Sequence, residues 1–460
     1  MCGIAGYYSR NTDGAANQVM LALYAQQHRG QESCGMAVST GTSLRNHRAM
    51  GYVKEAFNEK VLNKLASNIA IGHARYPTRG SSVIGNTQPY IIETLSGPIY
   101  AIASNGDIVN YDEVANDLRT KGVYFSSKND GELLGRFIVY YHERQNMEIV
   151  DAIKLLMKRV KGAYSAVFLT RDRLYAFRDA YGFRPMWTGN VDGDVAIASE
   201  SCAMDILRAT ETREIAPGEI MIITQTNEYS THTNILPLLD DGKRQTHHCV
   251  FELIYFARPD SAEFGEYVYN VRQKIGAKLA EYDVDQPADV VLPVPDSANF
   301  IAMGYANARN LPFNMGLIRN HYVGRTFIRP DQYARDESVR QKFNPLKDFF
   351  ENKRVVLVDD SIVRGTTIRK LVRMIKGAGA SEVHLRIGSP PVAHSCYYGI
   401  DTPNREELIA NRMSIDEIRD YICADSVKYL KKEDLEKCVK RPEGFCYACF
   451  DGNYPIPKKG

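Results

Sequence analysis

Two adjacent carboxylates, Asp359 and Asp360, stand where a buried strand would pass into a helix. The four residues before them, 355–358, are all Val or Leu, which is typical of a strand covered on both faces. Residues 366–377 repeat apolar side chains at helical spacing, and an alternating pattern resumes at 383–387. The pattern predicts a β-α-β unit whose loop lies at the carboxyl end of a strand, where parallel sheets bind ligands.

This loop has the composition of a sugar-phosphate site. Ser361, Gly365, Thr366 and Thr367 supply hydroxyl and backbone donors at the start of the helix, where a phosphate binds favourably. The two carboxylates can accept hydrogen bonds from neighbouring sugar hydroxyls or hold Mg²⁺. Together these groups describe a site for a ribose 5-phosphate. The alternative is an Asp-Asp turn that only caps a helix.

Cys2 is a second candidate for chemistry. If the initiator Met1 is removed, Cys2 carries a free α-amine beside its thiol, and an α-amine titrates near ~8. A fraction of the α-amine is then unprotonated at neutral pH and can act as the base for the thiol, so the nucleophile and its base belong to one residue. The alternative is an ordinary terminal cysteine.

Four further cysteines could ligate a metal. Cys446 and Cys449 form a CxxC pair near the C-terminus, and Cys396 and Cys249 lie far from it in sequence. Such a set fits either tetrahedral zinc or a [4Fe–4S] cluster, and spacing alone does not choose between them. Four unligated thiols are the remaining alternative.

The chain around these residues has the composition of a soluble globular protein. Its 460 residues are enough for two or three domains, with 44% hydrophobic and 24% charged residues. The net charge of +2 favours neither a nucleic acid nor an acidic membrane as a partner. No apolar stretch approaches the ~18 residues of a membrane span, and no secretory signal is evident, so we expect a cytoplasmic protein.

The element pattern divides the chain in two. Up to residue 235, strands in two groups are interrupted by helices at 14–27 and after Asp130. From residue 245, strands and helices alternate as in a parallel sheet with helices on both faces, and the apolar run from Cys249 predicts a buried interface strand. A polar connector at 227–248 separates the predicted domains, 2–235 and 245–460.

Several motifs of the first domain occur together in one known family. They are MCGIAGYY, LALYAQQHRGQES, IGHARYPTRG, NTQP, SNGDIVNY, RDAYGFRPM, ASESCAMDI and REIAPGE. In this order they resemble the glutaminase domain of the N-terminal-nucleophile amidotransferases. The resemblance implies a four-layer αββα sandwich, with Cys2 as the nucleophile that attacks the side-chain amide of glutamine.

The same resemblance assigns further roles. Asn105 and Gly106 match the oxyanion hole, whose donors stabilise charge that appears only in the transition state. Arg75 matches the residue that binds the glutamine α-carboxylate, and Asp130 matches the partner of its α-ammonium. Taken singly, Asn-Gly could be a tight turn, Asp130 a helix N-cap, and Arg75 a member of a structural ion pair.

The chain departs from that family at four positions. Ser104 stands where His is frequent, Gly131 where Ser or Thr is usual, Arg79 where a small residue is common, and Cys34 where Ala or Gly is usual. These departures concern glutamine affinity and closure of the site rather than the nucleophile.

The second domain carries a resemblance of its own. DDSIVRGTT resembles the 5-phosphoribosyl 1-pyrophosphate (PRPP) loop of type I phosphoribosyltransferases, which implies a parallel sheet. The basic segment 318–346 resembles the flexible loop of the amidophosphoribosyltransferases, a lid that excludes water from PRPP, with Arg325 and Lys342 as binding residues. That family would hold Mg²⁺ at Ser297 and the paired aspartates.

A subset of the amidophosphoribosyltransferases carries an iron–sulfur cluster. Cys249, Cys396, Cys446 and Cys449 match its ligands. We therefore favour a [4Fe–4S] cluster over zinc, in a structural role that ties the C-terminal tail to the domain interface.

The resemblance as a whole implies two coupled reactions. Glutamine is hydrolysed, and its ammonia, shielded from solvent, displaces pyrophosphate from PRPP to give 5-phosphoribosylamine in the first committed step of purine synthesis. A homotetramer is also implied. Two alternatives stay open: a paralogue whose inactive glutaminase leaves it dependent on free ammonia, and a PRPP-binding regulator that forms no product.

Overall fold

A computed structural model describes residues 1–10, 12–76, 82–224, 230–233, 245–321 and 341–457. The two predicted parts are both present: a pair of stacked antiparallel sheets comes first, and a parallel sheet follows. Among the described residues, no helix is both long and apolar enough to cross a bilayer.

The first part consists of two sheets and two groups of helices. Its strands are β1 (Gly3–Tyr8), β2 (Ser33–Ser39), β3 (Leu44–Met50), β4 (Ile69–Arg75), β5 (Tyr90–Thr94), β6 (Gly97–Ile108), β7 (Gly162–Leu169), β8 (Leu174–Arg178), β9 (Trp187–Val191), β10 (Asp194–Ala198), β11 (Thr210–Glu214), β12 (Glu219–Ile223) and β13 (Ser230–Thr233). Its helices are α1 (Ala15–Ala25), α2 (Val53–Ala56), α3 (Glu59–Lys64), α4 (Tyr111–Thr120), α5 (Asp130–Gln145), α6 (Ile149–Arg159) and α7 (Ser201–Ile206). The sheet orders are β11-β9-β10-β1-β4-β2-β3 and β13-β12-β8-β7-β6-β5.

Three apolar cores hold these layers together. Ile4, Ile71 and Val167 belong to the core between the two sheets. Val19 and Leu23 of α1 pack on the outer face of the first sheet, and α5 and α6 cover the second. Since side chains alternate between the faces of a strand, each sheet supplies one face to the inter-sheet core and the other to a helix layer. The predicted αββα sandwich is confirmed.

The second part is described in chain order. Its strands are β14 (His248–Cys249), β15 (Ala262–Glu263), β16 (Glu266–Tyr267), β17 (Val290–Pro293), β18 (Leu317–Arg319), β19 (Phe343–Pro345), β20 (Arg354–Asp359), β21 (Glu382–Ile387), β22 (Ser426–Tyr429) and β23 (Phe445–Cys446). Its helices are α8 (Val268–Ala280), α9 (Asn299–Arg309), α10 (Thr366–Gly377), α11 (Ile409–Arg412), α12 (Ile415–Ile422), α13 (Lys432–Glu436) and α14 (Ala448–Asp451).

A parallel sheet of order β17-β20-β21-β22 forms the centre of this part. Val356 and Val358 of β20 face a core shared with α8 and α9, whereas Val355 and Leu357 face a core shared with α10 and α12. Because helices cover both faces, the strand is a continuous apolar run. The predicted β-α-β unit is confirmed as β20, α10 and β21.

The segment after Cys249 is not the strand that its apolar composition predicted. Only β14 is extended, and Glu252–Phe256 form a π-helix that is closed by a backbone hydrogen bond of 2.9 Å from Ala257. Buried Arg272 donates to the carbonyl oxygens of Leu253 (3.0 Å) and Ala257 (2.8 Å). A short apolar run does not distinguish a strand from a buried helix, and the hydrogen bonds from Arg272, which favour the helical turn, are not visible in the local sequence.

Some predicted features lie outside the described residues. They are Arg79, part of the connector at 234–244, and the lid residues 322–340, including Arg325. The two ends of the lid are described, and β18 and β19 pair antiparallel with Arg319 opposite Phe343.

Candidate active site

The position of Cys2 follows from the register of the first sheet. β1 pairs antiparallel with β4, with Gly3 opposite Ala74. Cys2 therefore lies at the end of β4, and its Sγ is 3.5 Å from both the backbone nitrogen and the carbonyl oxygen of Tyr76. The backbone nitrogen of Cys2 donates to Asn105 Oδ1 at 2.9 Å. This nitrogen becomes the α-amine when Met1 is removed, so Asn105 orients the candidate base.

Asn105 and Gly106 are adjacent on β6. Asn105 is fully buried, and its Nδ2 has no hydrogen-bond partner among the described residues. A Cβ on Gly106 would lie 1.8 Å from the carbonyl oxygen of Ala163, so only glycine fits there. A buried unpaired donor costs about 1–3 kcal/mol. The predicted role in an oxyanion hole would give this unpaired donor a partner in the transition state.

Arg75 and Asp130 are both buried at the ends of elements. Arg75 ends β4 and forms an ion pair of 2.6 Å with Glu32. Asp130 is the first residue of α5, but the N-cap is Asn129, whose side chain accepts from the backbone nitrogen of Gly131 at 2.9 Å. The N-cap alternative for Asp130 is therefore wrong, whereas Arg75 does take part in an ion pair.

Gln88 lies against the two departures nearest Asn105 and Gly106. Its Oε1 accepts from the backbone nitrogen of Ser104 at 2.7 Å, and its Nε2 donates to Asn129 Oδ1 at 3.0 Å. A Cβ at Gly131 would lie 2.5 Å from Gln88 Oε1, so the glycine makes room for this buried amide. The departure at Cys34 belongs to the apolar core, where burial raises the pKa of its thiol to about 12.

The paired aspartates lie where β20 ends. Asp360 accepts hydrogen bonds from Ser297 Oγ at 2.5 Å and Ser361 Oγ at 2.6 Å. Its backbone nitrogen donates to Asp359 Oδ1 at 2.9 Å. Burial raises the pKa of both carboxyls, and the charge of Asp360 raises that of Asp359 further. A divalent cation would favour their charged forms.

The loop after the aspartates turns into α10 at Gly365. Gly365 has φ +76°, and a Cβ there would lie 2.7 Å from the side chain of Ile409, so glycine is required on both grounds. Thr366 and Thr367 are the first residues of α10. Backbone N–H groups of a first helical turn have no intrahelical acceptor, so they are available to an anion.

One cavity of about 630 Å³ is lined by residues of both parts of the chain. His28 and Tyr76 line it from the first part, and residues 359–367 and Lys342 line it from the second. Because the backbone of Tyr76 contacts the Cys2 thiol, the cavity extends from the neighbour of Cys2 to the loop that follows the paired aspartates.

The four predicted cluster cysteines line one cavity. Cys249 of β14 lies opposite Cys446 in the neighbouring parallel strand β23, and these two residues line the same cavity as Cys396 and Cys449. Burial, followed by the charges of the other three thiols, raises the pKa of Cys449. In the described part of the chain no disulfide forms, and no group of His, Cys, Asp or Glu is arranged as a metal site.

Several residues around Cys2 had no role assigned from the sequence. Arg29 Nε donates to the carbonyl oxygen of Cys2 at 3.1 Å, and Glu200 and Glu252 both pair with the Arg29 guanidinium. Arg29 and Glu200 lie inside motifs that were recognised as a whole. Their position in those motifs was the only sequence signal for Arg29 and Glu200. It does not show whether a residue belongs to an ion-pair network or to the active site.

Comparisons with known proteins agree with this geometry. Residues 75–205 match a family model described as a glutamine amidotransferase domain, and residues 269–387 match one described as a phosphoribosyl transferase domain. Amidophosphoribosyltransferase 2, chloroplastic, from Arabidopsis thaliana is 46% identical, over 99% of this chain and 79% of its own length. The amidophosphoribosyltransferase of Methanothermobacter thermautotrophicus is 44% identical, over 99% and 94% respectively.

A solved structure extends the likeness to three dimensions. The glutamine PRPP amidotransferase from B. subtilis, complexed with ADP and GMP, superimposes with a TM-score of 0.90 at 38% identity. The match covers 100% of this chain and 98% of that one. The chain therefore belongs to the amidophosphoribosyltransferases, which catalyse the glutamine-dependent amination of PRPP in the first step of purine biosynthesis.

Proposed function

We propose that Cys2, Asn105 and Gly106 carry out the glutamine half of this reaction. The Cys2 thiol attacks the side-chain amide carbon of glutamine while its α-amine takes the thiol proton. Asn105 Nδ2 and the backbone N–H of Gly106 stabilise the oxyanion. Ammonia leaves as a thioester forms, and water then releases glutamate. In this proposal Arg75 binds the α-carboxylate of glutamine, and Asp130 binds its α-ammonium.

The second half-reaction is proposed at the loop after β20. Its donors bind the 5-phosphate of PRPP, and Asp359 and Asp360 accept hydrogen bonds from the ribose hydroxyls. The donors are Ser361, Gly365, Thr366 and Thr367. Ammonia displaces pyrophosphate at C1, and Arg325 and Lys342 neutralise charge on the leaving group.

Mg²⁺ fits the donors of this loop. Ser297, Asp359 and Asp360 would hold it, because a hydroxyl and two carboxylates are hard oxygen ligands and Ser297 already contacts Asp360. When bound, it would neutralise negative charge on the pyrophosphate.

The observation that carries the proposal is the cavity shared by both parts of the chain. Tyr76 lines this cavity while its backbone contacts the Cys2 thiol, and the paired aspartates line the same cavity. A common cavity would shorten the path of ammonia between the two sites and reduce its exposure to bulk water.

A [4Fe–4S] cluster is proposed on Cys249, Cys396, Cys446 and Cys449. Four thiols lining one cavity are a suitable donor set, and a cluster would join the C-terminal tail to the domain interface. Iron, labile sulfide and zinc are to be measured on anaerobically purified protein. Zinc in place of iron and sulfide would refute the cluster.

Three broader assignments belong to the same proposal. The domains span 2–235 and 245–460, and the enzyme is a homotetramer, which sedimentation would measure. A cytoplasmic location is supported by nine cysteines that form no disulfide in the described part of the chain.

The test is a comparison of glutamine and ammonium as nitrogen donors. Wild-type enzyme should release pyrophosphate from PRPP with either donor, and Cys2→Ala should retain only the ammonium-dependent rate. Glutamine turnover equal to that of Cys2→Ala would favour the paralogue with an inactive glutaminase. PRPP binding without any product would favour a regulator.

A further inference from the structure

The side chain of Gln88 continues the second sheet beyond the end of β5. β5 pairs antiparallel with β6 and begins at Tyr90, opposite Ile102. Two residues further along this register, Gln88 stands opposite Ser104. There Gln88 Oε1 accepts from the backbone nitrogen of Ser104 at 2.7 Å, and Nε2 donates to the carbonyl oxygen of Ser104 at 3.4 Å. The amide therefore holds both backbone groups of the residue that precedes Asn105.

The same amide reaches the start of α5. Gln88 Nε2 also donates to Asn129 Oδ1 at 3.0 Å, and this oxygen accepts from the backbone nitrogen of Gly131 at 2.9 Å as the helix N-cap. Asp130, the candidate partner of the glutamine α-ammonium, lies between Asn129 and Gly131 in sequence. One side chain thus bonds both to the strand that carries the proposed oxyanion donors and to the helix start that carries Asp130.

The backbone of Gln88 is held by the first sheet. A Cβ on Gly35 of β2 would lie 2.3 Å from the carbonyl oxygen of Gln88, so the two backbones are in close contact. On the other side, a Cβ on Gly131 would lie 2.5 Å from Gln88 Oε1. Gln88 itself is only 4% exposed. Close packing on both sides leaves the amide little freedom to move.

We propose that Gln88 is a positioning residue that sets the distance between the oxyanion donors and Asp130. The inference rests on the proposed function for the roles of Asn105, Gly106 and Asp130 in glutamine hydrolysis. In those roles, glutamine is held by its α-ammonium at one end and attacked at its amide carbon at the other. A change in the distance between the two ends therefore moves the reacting carbon away from the Cys2 thiol. A misplacement of about 1 Å can cost about 100-fold in rate.

The first test variant is Gln88→Met, which keeps a long unbranched side chain but removes the amide. The glutamine-dependent kcat should fall by about 10- to 100-fold and KM for glutamine should rise, because both ends of the site lose alignment. The ammonium-dependent rate should be unchanged, since the loop after β20 lies in the other part of the chain. Steady-state pyrophosphate release with each nitrogen donor, under saturating PRPP and Mg²⁺, measures both rates.

The second variant, Asn129→Ser, separates the two ends of the site. Serine is as good an N-cap as asparagine, so α5 keeps its cap, but the shorter side chain withdraws the acceptor from Gln88 Nε2. The bonds between Gln88 and Ser104 remain, so only the position of Asp130 is loosened. KM for glutamine should rise by about fivefold or more while kcat stays within about twofold of wild type, the pattern of a lost ground-state contact.

Gln286→Met is the control for removal of an amide. Gln286 is partly buried, and its Nε2 bonds to His384 in the second part of the chain at 3.1 Å. Its replacement removes a side-chain amide far from β6 and α5 in the fold. Both kinetic parameters for glutamine, and the ammonium-dependent rate, should match those of wild type.

Three results would overturn the inference. One is a Gln88→Met enzyme whose glutamine kinetics match those of Gln286→Met. Another is an equal fall of the glutamine- and ammonium-dependent rates in Gln88→Met, which would show that Gln88 supports the fold as a whole. The third is an Asn129→Ser enzyme whose KM for glutamine is unchanged. Failure of the proposed function looks different, because wild-type protein would then release no pyrophosphate with glutamine, or Cys2→Ala would still do so.

Discussion

Replacement of Asn105 by alanine tests the glutamine half-reaction most directly. The substitution removes two contacts: the unpartnered Nδ2 donor and the Oδ1 acceptor that holds the Cys2 nitrogen at 2.9 Å. Loss of one oxyanion-hole donor costs about 2.7–4 kcal/mol of transition-state stabilisation. Loss of one buried hydrogen bond adds about 1 kcal/mol. The sum of about 3.7–5 kcal/mol corresponds to a fall in glutamine-dependent kcat of roughly 500- to 5,000-fold.

The expected loss is specific to one nitrogen donor. Asn105 lies on β6, whereas the phosphate loop follows β20 in the other domain, so the ammonium-dependent release of pyrophosphate should be unchanged. The assay is steady-state pyrophosphate release with each donor under saturating PRPP. Asn116→Ala on the exposed face of α4 is the control, since its Oδ1 contacts only a surface arginine in the described part.

Two results would refute this reasoning. A fall of less than about tenfold in the glutamine-dependent rate would mean that Nδ2 does not stabilise an oxyanion. An equal fall with both donors would mean that the substitution disturbs the fold rather than the chemistry. Thermal unfolding of both variants separates a damaged fold from a damaged site.

Three further outcomes are expected. Burial, reinforced by the charges of three neighbouring glutamates, raises the pKa of Glu263 well above 4.5, so the stability it contributes is complete below that value and is lost as pH rises through the raised pKa. Glu263→Gln keeps an acceptor for Trp187 Nε1, so its stability relative to wild type should rise as pH increases above about 4.5; urea titrations that show a pH-independent difference would contradict this. Asp360→Asn should lower pyrophosphate release by about 100-fold or more with both nitrogen donors, and a loss confined to glutamine would count against the proposed Mg²⁺ site. Gly131→Ser places a Cβ 2.5 Å from a buried amide oxygen and should lower the free energy of unfolding by about 1–3 kcal/mol, whereas Gly377→Ser, with open space around its Cβ, should not.

The sequence alone was sufficient for elements whose pattern is local. The apolar run of β20, the amphipathic repeat of α10 and the alternation of β21 each depend on residues within one element, so strand, loop and helix were all predicted where they occur. The recognised motifs then supplied the two-domain architecture and the family. The segment after Cys249 was predicted wrongly, because its conformation depends on hydrogen bonds from Arg272 on another helix.

Only the tertiary structure decided which groups meet. Asn105 accepts a hydrogen bond from the backbone nitrogen of Cys2, which is 103 positions away in sequence. Gln88, in a different loop, occupies the space that a Cβ on Gly131 would need. The network of Arg29, Glu200 and Glu252 joins three separate segments of the chain and has no periodic signature. Local spacing indicates a helix or strand because the regular backbone places residues at fixed sequence intervals on the same face. Contacts between elements depend on packing, which brings distant residues together only after the layers have formed.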